Sequence, residues 1–271
     1  MSSYVITGVS KGLGWEFMSQ ISSNADNTVI GIVRNKKAAD ERVSNELNGR
    51  TNITILEADV TDYEAVKRAV DQAAIINSGS LDYLIANAGY VLGWDAYGGI
   101  GSRGLEPERL TAEFRKMMDT NVLANIHLYN LFMPQILKGK AKKVVVISSG
   151  MGDIEFTNEL GIEIATLYSA SKAAMNMITA KFAAQYKKDG ILFLSICPGQ
   201  VDVGHFSDAT AEELQGFLEM GRKFTIFNPD FKGMDQPADA IKAILSLVDT
   251  CSIENGDSGR YLSHFGNRRW I

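Results

Sequence analysis

The chain has 271 residues, 45% of them hydrophobic and 22% charged, enough to bury a sizeable core without disulfides or metals. A formal net charge of −5, with no basic run dominating a face, argues against a nucleic-acid partner. Two cysteines, Cys197 and Cys251, and three scattered histidines form neither a disulfide framework nor a metal-ligand spacing; buried, reduced thiols and no metal are expected.

In chain order, YVITGV (4–9) reads at once as a strand, with no charged or apolar leader ahead of it. Similar β-branched runs follow: TVIGIV (28–33), ITILEA (53–58), LDYLIAN (81–87), KVVVIS (143–148) and ILFLSI (191–196). All are too short to span a bilayer, so a cytoplasmic protein with no membrane partner is expected. They are apolar on both faces, as strands of a parallel sheet covered on each side must be. Amphipathic helical patterns lie between them, such as 62–76, with Thr61 or Asp62 placed to cap its start.

This alternation predicts an α/β protein, a doubly wound parallel sheet of about seven strands with helices on both faces. No Pro/Gly/Ser linker divides it, so 1–271 reads as one domain. Two stretches break the rhythm: 90–107, too glycine-rich for a helix, and 200–235. Both follow strand ends on the C-terminal side of the sheet, where open α/β folds bind ligands.

The first strand runs into TGVSKGLG (7–14). Gly8, Gly12 and Gly14 sit in the first strand-to-helix turn, where glycine lets backbone approach a pyrophosphate and free helix N–H groups face the anion. That location predicts a Rossmann-type fold with a dinucleotide as ligand, against a tight turn that holds none. The end of the second strand carries Arg34 where an NAD site usually presents a carboxylate, and Lys11 adds a second cation inside the loop. An adenosine 2′-phosphate would meet both, so NADP(H) fits better than NAD(H).

Tyr168 and Lys172 lie one helical turn apart in TLYSASK (166–172). Spacing alone proves nothing, because Tyr63 and Lys67 share it and read as a solvated face with one packing contact. Tyr168, however, follows a strand that ends in Ser148 and Ser149. A long helical stretch ahead of it holds Asn121 in its interior, where asparagine competes poorly unless something tertiary holds it.

The order TGxxxGxG, DVTD (59–62), NAG (87–89), Asn121, ISS (147–149), YSASK (168–172) and PG (198–199) resembles the short-chain dehydrogenase/reductase family along essentially the whole chain. The closing 259–271 is similar to the tail of fungal carbonyl reductases of that family. The resemblance implies a catalytic tetrad of Asn121, Ser149, Tyr168 and Lys172. It also implies a cofactor site built from Gly8, Ser10, Lys11, Gly12, Leu13, Gly14, Arg34, Asp59, Val60, Asn87, Ala88, Gly89, Tyr168, Lys172, Pro198, Gly199 and Val201. The chemistry fits these roles. Reducing a ketone needs hydride on carbon and a proton on oxygen. Lys172 is expected to lower the phenol of Tyr168 from its reference pKa of about 10 toward the working pH. Ser149 would hold the carbonyl oxygen, Lys172 the nicotinamide ribose, and Asn121 a water that relays protons.

The activity implied is NADPH-dependent reduction, by pro-S hydride transfer, of a ketone or aldehyde on an apolar small molecule, in secondary metabolism. The same residues would serve an NADP-dependent alcohol dehydrogenase working oxidatively, and a nucleotide-binding scaffold without turnover is the rival from another class. The resemblance also implies a homodimer or homotetramer, paired through helices at about 110–137 and 169–187. Two departures stand out. Ser149 and Tyr168 lie further apart than is usual, so an excursion over about 150–166 is expected to bulge over the site; Ser148 is the alternative serine. Val203 replaces a usual threonine and cannot hydrogen-bond a carboxamide, leaving backbone near Val201 to do so. Trp94, Tyr97, Phe156, Phe206 and Phe224 are candidate substrate contacts, in loops at about 90–107, 150–166 and 200–235.

Overall fold

The structure, a computed structural model, describes residues 1–204 and 211–271. Seven parallel strands form one sheet: β1 (Ser3–Thr7), β2 (Thr28–Val33), β3 (Ile53–Glu57), β4 (Tyr83–Ala86), β5 (Lys143–Ile147), β6 (Leu192–Cys197) and β7 (Tyr261–Ser263), in the order β3-β2-β1-β4-β5-β6-β7. The six apolar runs of the sequence supply the first six. β7 comes from the closing segment, and at three residues it is too short to stand out as a run.

Side chains alternate across the sheet, and this explains why the runs are apolar throughout. Val5, Leu84, Val144 and Phe193 point to a face covered by α3 (Tyr63–Ile76), α7 (Ala124–Ile136) and α9 (Thr166–Gln185). Ile6, Ile85, Val145 and Leu194 point to the other, covered by α1 (Gly12–Ser22) and α11 (Pro237–Thr250). Phe17, Phe132 and Phe193 are fully buried, each contributing about 1.5–3 kcal/mol by leaving water. Asp62 caps α3, accepting from the Ala65 N–H at 3.0 Å, and α2 (Lys36–Glu46) makes the crossover from β2 to β3. Cys197 and Cys251 are free and buried, as expected. Tyr63 is half exposed, its ring edge-on to His127 at 5.1 Å.

Two segments differ from the sequence reading. The glycine-rich 90–107 is not devoid of helix: it holds two single turns, α4 (Gly93–Ala96) and α5 (Ile100–Arg103), stabilised by tertiary contacts. The long helix expected near 110–137 is α6 (Pro107–Met118), a π-helical turn over Asp119–Leu123, then α7. The excursion after β5 folds into a 3-10 turn (Gly150–Gly152) and α8 (Ile154–Leu160), capped by Asp153 and closed by Gly161 at φ 56°. α10 (Ala211–Phe227) lies within 200–235. Among the described residues, no helix is long and apolar enough to cross a membrane.

Asp82 ties the strands together at the end opposite the site. Its carboxylate accepts N–H groups from Ser3 (2.9 Å), Lys140 (2.7 Å) and Ala141 (3.2 Å). Burial raises its pKa, but these bonds outweigh burial and hold it below the ordinary value. A depressed folded pKa stabilises the fold above the unfolded carboxyl's pKa, and that stability is lost as pH falls through the folded value. Asp82→Asn is expected to lower the urea midpoint at neutral pH, with the gap to wild type narrowing as pH falls below about 4. An equal gap in acid would contradict this account.

Candidate active site

The C-terminal ends of the strands open into one cleft of about 1170 Å³. The glycine turn forms its first wall. Gly8 has φ +75°, and a Cβ there would meet the Ala88 Cα at 3.0 Å. Asn87 locks the turn to the end of β4, its Nδ2 donating to the carbonyls of Thr7 (3.0 Å) and Gly8 (3.3 Å). Lys11 stands at the start of α1, which has no side-chain cap and no acidic residue in its first turn, leaving a positive helix end toward the cleft. Arg34 and Asp59 are exposed on the rim beyond. Asp59 lies below its ordinary pKa, chiefly through the Thr61 N–H, with a smaller contribution from Arg34. Gly8, Ser10, Lys11, Gly12, Leu13, Arg34, Asp59, Val60, Asn87, Ala88, Gly89, Pro198, Gly199 and Val201 all line this cleft.

Gly14 does not. It is buried, and a Cβ there would sit 2.2 Å from the Gly8 carbonyl oxygen, so this glycine lets α1 pack against the turn behind the cleft. Gly199 at φ +85° passes over His264, whose Cε1 would be 2.7 Å from a Cβ. Residues 200–202 pair with Asp235, fixing Val201 in the wall. Val203 lies 3.4 Å from where a Gly12 Cβ would be, covering the glycine turn.

At the deep end, Ser149, Tyr168 and Lys172 converge. β5 delivers Ser149 and α9 carries the other two. The Ser149 hydroxyl hydrogen-bonds the phenol of Tyr168, while Ser148 is buried with its hydroxyl on Asn176 Oδ1 at 2.6 Å, so Ser149 is the serine that faces the tyrosine. Lys172 Nζ donates to the Ile147 carbonyl at 2.7 Å and lies 5.4 Å from the centre of the Tyr168 ring. Burial lowers Lys172 to about 8. The expectation that Lys172 depresses Tyr168 is corrected here. Burial pushes the phenol up to about 12, and the Ser149 bond opposes it only in part. At neutral pH, Tyr168 is therefore a protonated acid beside a largely cationic lysine.

Asn121 sits in the π-helical turn and is buried behind the cleft. Its Oδ1 accepts the Tyr90 N–H (2.6 Å), and its Nδ2 donates to the Tyr90 carbonyl (3.0 Å) and Ser171 Oγ (3.0 Å). Its own carbonyl accepts from Asn125 Nδ2 at 2.8 Å. This is the tertiary hold that a mid-helix asparagine requires. Its side chain is thus a clasp between α9, the π turn and the segment after Gly89.

A model of the short chain dehydrogenase family matches residues 3–214. The chain belongs to that family. The short chain dehydrogenase virK of Hypocrea virens is 51% identical over 271 residues, and short-chain dehydrogenase/reductase iacC of Pestalotiopsis fici is 46% identical over 272, each covering 100% of both chains. Among solved structures, the NADPH-bound carbonyl reductase from chicken fatty liver shares the fold, with a TM-score of 0.78 at 22% identity over 98% of each chain.

Further residues of this short-chain dehydrogenase line the rest of the cleft. Tyr97, Phe156 and Phe224 line it, as expected from the sequence. Trp94 does not: the guanidinium groups of Arg103 and Arg109 lie over its ring, and its Nε1 donates to Glu106 at 3.1 Å. Phe206 lies outside the described residues. Sequence reading missed Met151, Ile164, Met220 and Trp270, which complete an apolar cluster with Phe156 and Phe224. Trp270 is buried, stacked on Tyr261 at 4.2 Å, and Gly150 leaves room for it: a Cβ on Gly150 would be 2.5 Å from the Trp270 Cβ. Arg268 ties this tail to Asp153 (2.6 Å) and Glu155 (3.1 Å) in the excursion. The Trp270–Gly150 contact spans most of two crossovers, and no local sequence pattern announces it.

Proposed function

We propose that the chain is an NADPH-dependent reductase of a ketone or aldehyde carried on an apolar small molecule, with residues 1–271 acting as one dinucleotide-binding and catalytic domain. The observation that carries this reading is a protonated Tyr168, bonded to Ser149 and one helical turn from Lys172, at the apolar end of the cleft. The residues at the other end fit NADPH: an uncapped helix N-terminus, a turn that only glycines can make, and two cations with no competing ribose carboxylate at Arg34. When bound, NADPH supplies the hydride. Ser149 orients the carbonyl oxygen, and Tyr168 gives it the proton as charge develops there. The Lys172 cation stabilises the phenolate left behind. Reduction suits the acid form of Tyr168 that burial enforces, which favours this direction over alcohol oxidation.

Apolar walls from Met151, Phe156, Ile164, Met220, Phe224 and Trp270 support an aromatic or otherwise apolar substrate. The identity with virK and iacC supports a place in fungal secondary metabolism. Exposed Phe114, Leu123 and Met177 on α6, the π turn and α9 support pairing of copies through these helices, as homodimer or homotetramer.

Calorimetric titration is expected to give at least about 10-fold tighter binding of NADPH than of NADH, with most of that margin lost in Arg34→Ala. Equal affinities would remove the 2′-phosphate reading. As pH rises through about 8, kcat/KM for ketone reduction should fall as Lys172 loses its charge. A profile flat well above that pH would show that the cation is not needed.

A further inference from the structure

We propose that Asp95 is a positioning residue for Tyr168, holding the start of the catalytic helix from the glycine-rich segment on the far side of the cleft mouth; this rests on Tyr168 being the acid. α9 begins without a cap of its own. Ala165 stands at its N-cap position in the left-handed region, at φ 55°, and has no side chain that could accept a hydrogen bond. The first amides of the helix would be orphaned in a buried place. Asp95, 1% exposed, supplies the missing acceptors from α4. Its Oδ1 accepts the Leu167 N–H at 3.1 Å, its Oδ2 accepts the N–H of Tyr168 itself at 3.0 Å, and its main-chain carbonyl accepts the Ala165 N–H at 2.9 Å.

Three bonds from one residue fix both the height and the rotation of the first turn. The phenol of Tyr168 must meet Ser149, which arrives on a different element, β5. A frayed turn would let the two drift apart, and a misplacement of about 1 Å costs on the order of 100-fold in rate. The carboxylate also complements the positive end of the 20-residue helix.

Asp95 is itself held. Next to it in sequence, the Trp94 ring carries the guanidinium groups of Arg103 (5.0 Å) and Arg109 (4.7 Å). Arg103 is tucked so close to Gly98 that a Cβ there would be 2.0 Å from its Nη2. The segment is a folded clasp in which an aromatic–cationic lock adjoins the carboxylate. Tyr97, two residues beyond Asp95, lines the cleft, so the wall that meets the substrate is joined to the helix that delivers the proton.

The test compares wild type with Asp95→Asn, which is isosteric and keeps one acceptor oxygen, and Asp95→Ala. Three quantities are read: NADPH affinity by calorimetry, steady-state constants on an apolar ketone drawn from a panel, and hydrogen exchange of the 165–170 amides. The expectation is a kcat lowered by about 10-fold in Asp95→Asn and further in Asp95→Ala, with KM and NADPH affinity within about 2-fold, and faster exchange at 165–170 in both. An unchanged kcat, a loss confined to KM or to NADPH affinity, or unchanged exchange would overturn it. Should Asp95→Ala fail to fold, Asp95→Asn carries the comparison. The exchange measurement needs no turnover: faster exchange in the variant of a wild type that reduces no carbonyl would leave the clasp standing and remove the reductase reading.

Discussion

The site depends on the hydrogen bond from the Lys172 ammonium to the carbonyl of Ile147, at 2.7 Å. That bond joins α9 to the end of β5, the strand that delivers Ser149 two residues later. It places a cation where burial lowers its pKa to about 8, so the charge is held by few partners and responds to whatever approaches. The bond also fixes the level of α9 relative to the sheet, and so the position of Tyr168 one turn earlier. Ser149 is tied in the same way from the other side, since its carbonyl accepts the hydroxyl of Tyr261 on β7.

A parallel sheet makes this economical. All seven strands end on one side, so the glycine turn, Asn87, Ser149 and Gly199 reach one rim although they are far apart in sequence. The chain can then lengthen a connection without disturbing the rim. The excursion between Ser149 and Tyr168 forms α8 and packs against α10 and the C-terminal tail, while the Ser149–Tyr168 bond remains in place. Much of the apolar cleft wall comes from these added pieces, while Ser149, Tyr168 and Lys172 sit at strand and helix ends.

Features that rest on local geometry were legible in the sequence. The glycine turn needs positive φ at Gly8 and Gly12, and the six longer strands bury both faces, so each left a local pattern. Asn121 was legible only as an oddity, because the Tyr90 backbone that explains it lies across a loop. Gly14 read as a cofactor contact, whereas its constraint is the packing of α1 on the turn. The direction of the Tyr168 shift could not be read from neighbours in sequence: the lysine one turn away is visible there, but the burial that sets the direction is a property of the folded cleft. Trp94, Trp270 and Asp95 were misplaced or missed for a related reason. Two arginines, a glycine on a distant strand end and a remote helix start decide where they go.

In the proposed reaction, hydride reaches a carbonyl carbon while Tyr168 protonates the oxygen. The most direct measurement is single-turnover reduction of an apolar ketone panel with NADPH deuterated at the pro-S position, followed by mass analysis of the alcohol. Deuterium is expected on the carbinol carbon with wild type, with at least about 100-fold slower label transfer in Tyr168→Phe at unchanged NADPH affinity. Label transfer at the wild-type rate by Tyr168→Phe, or no labelled alcohol from any ketone by a wild type that binds NADPH, would contradict it.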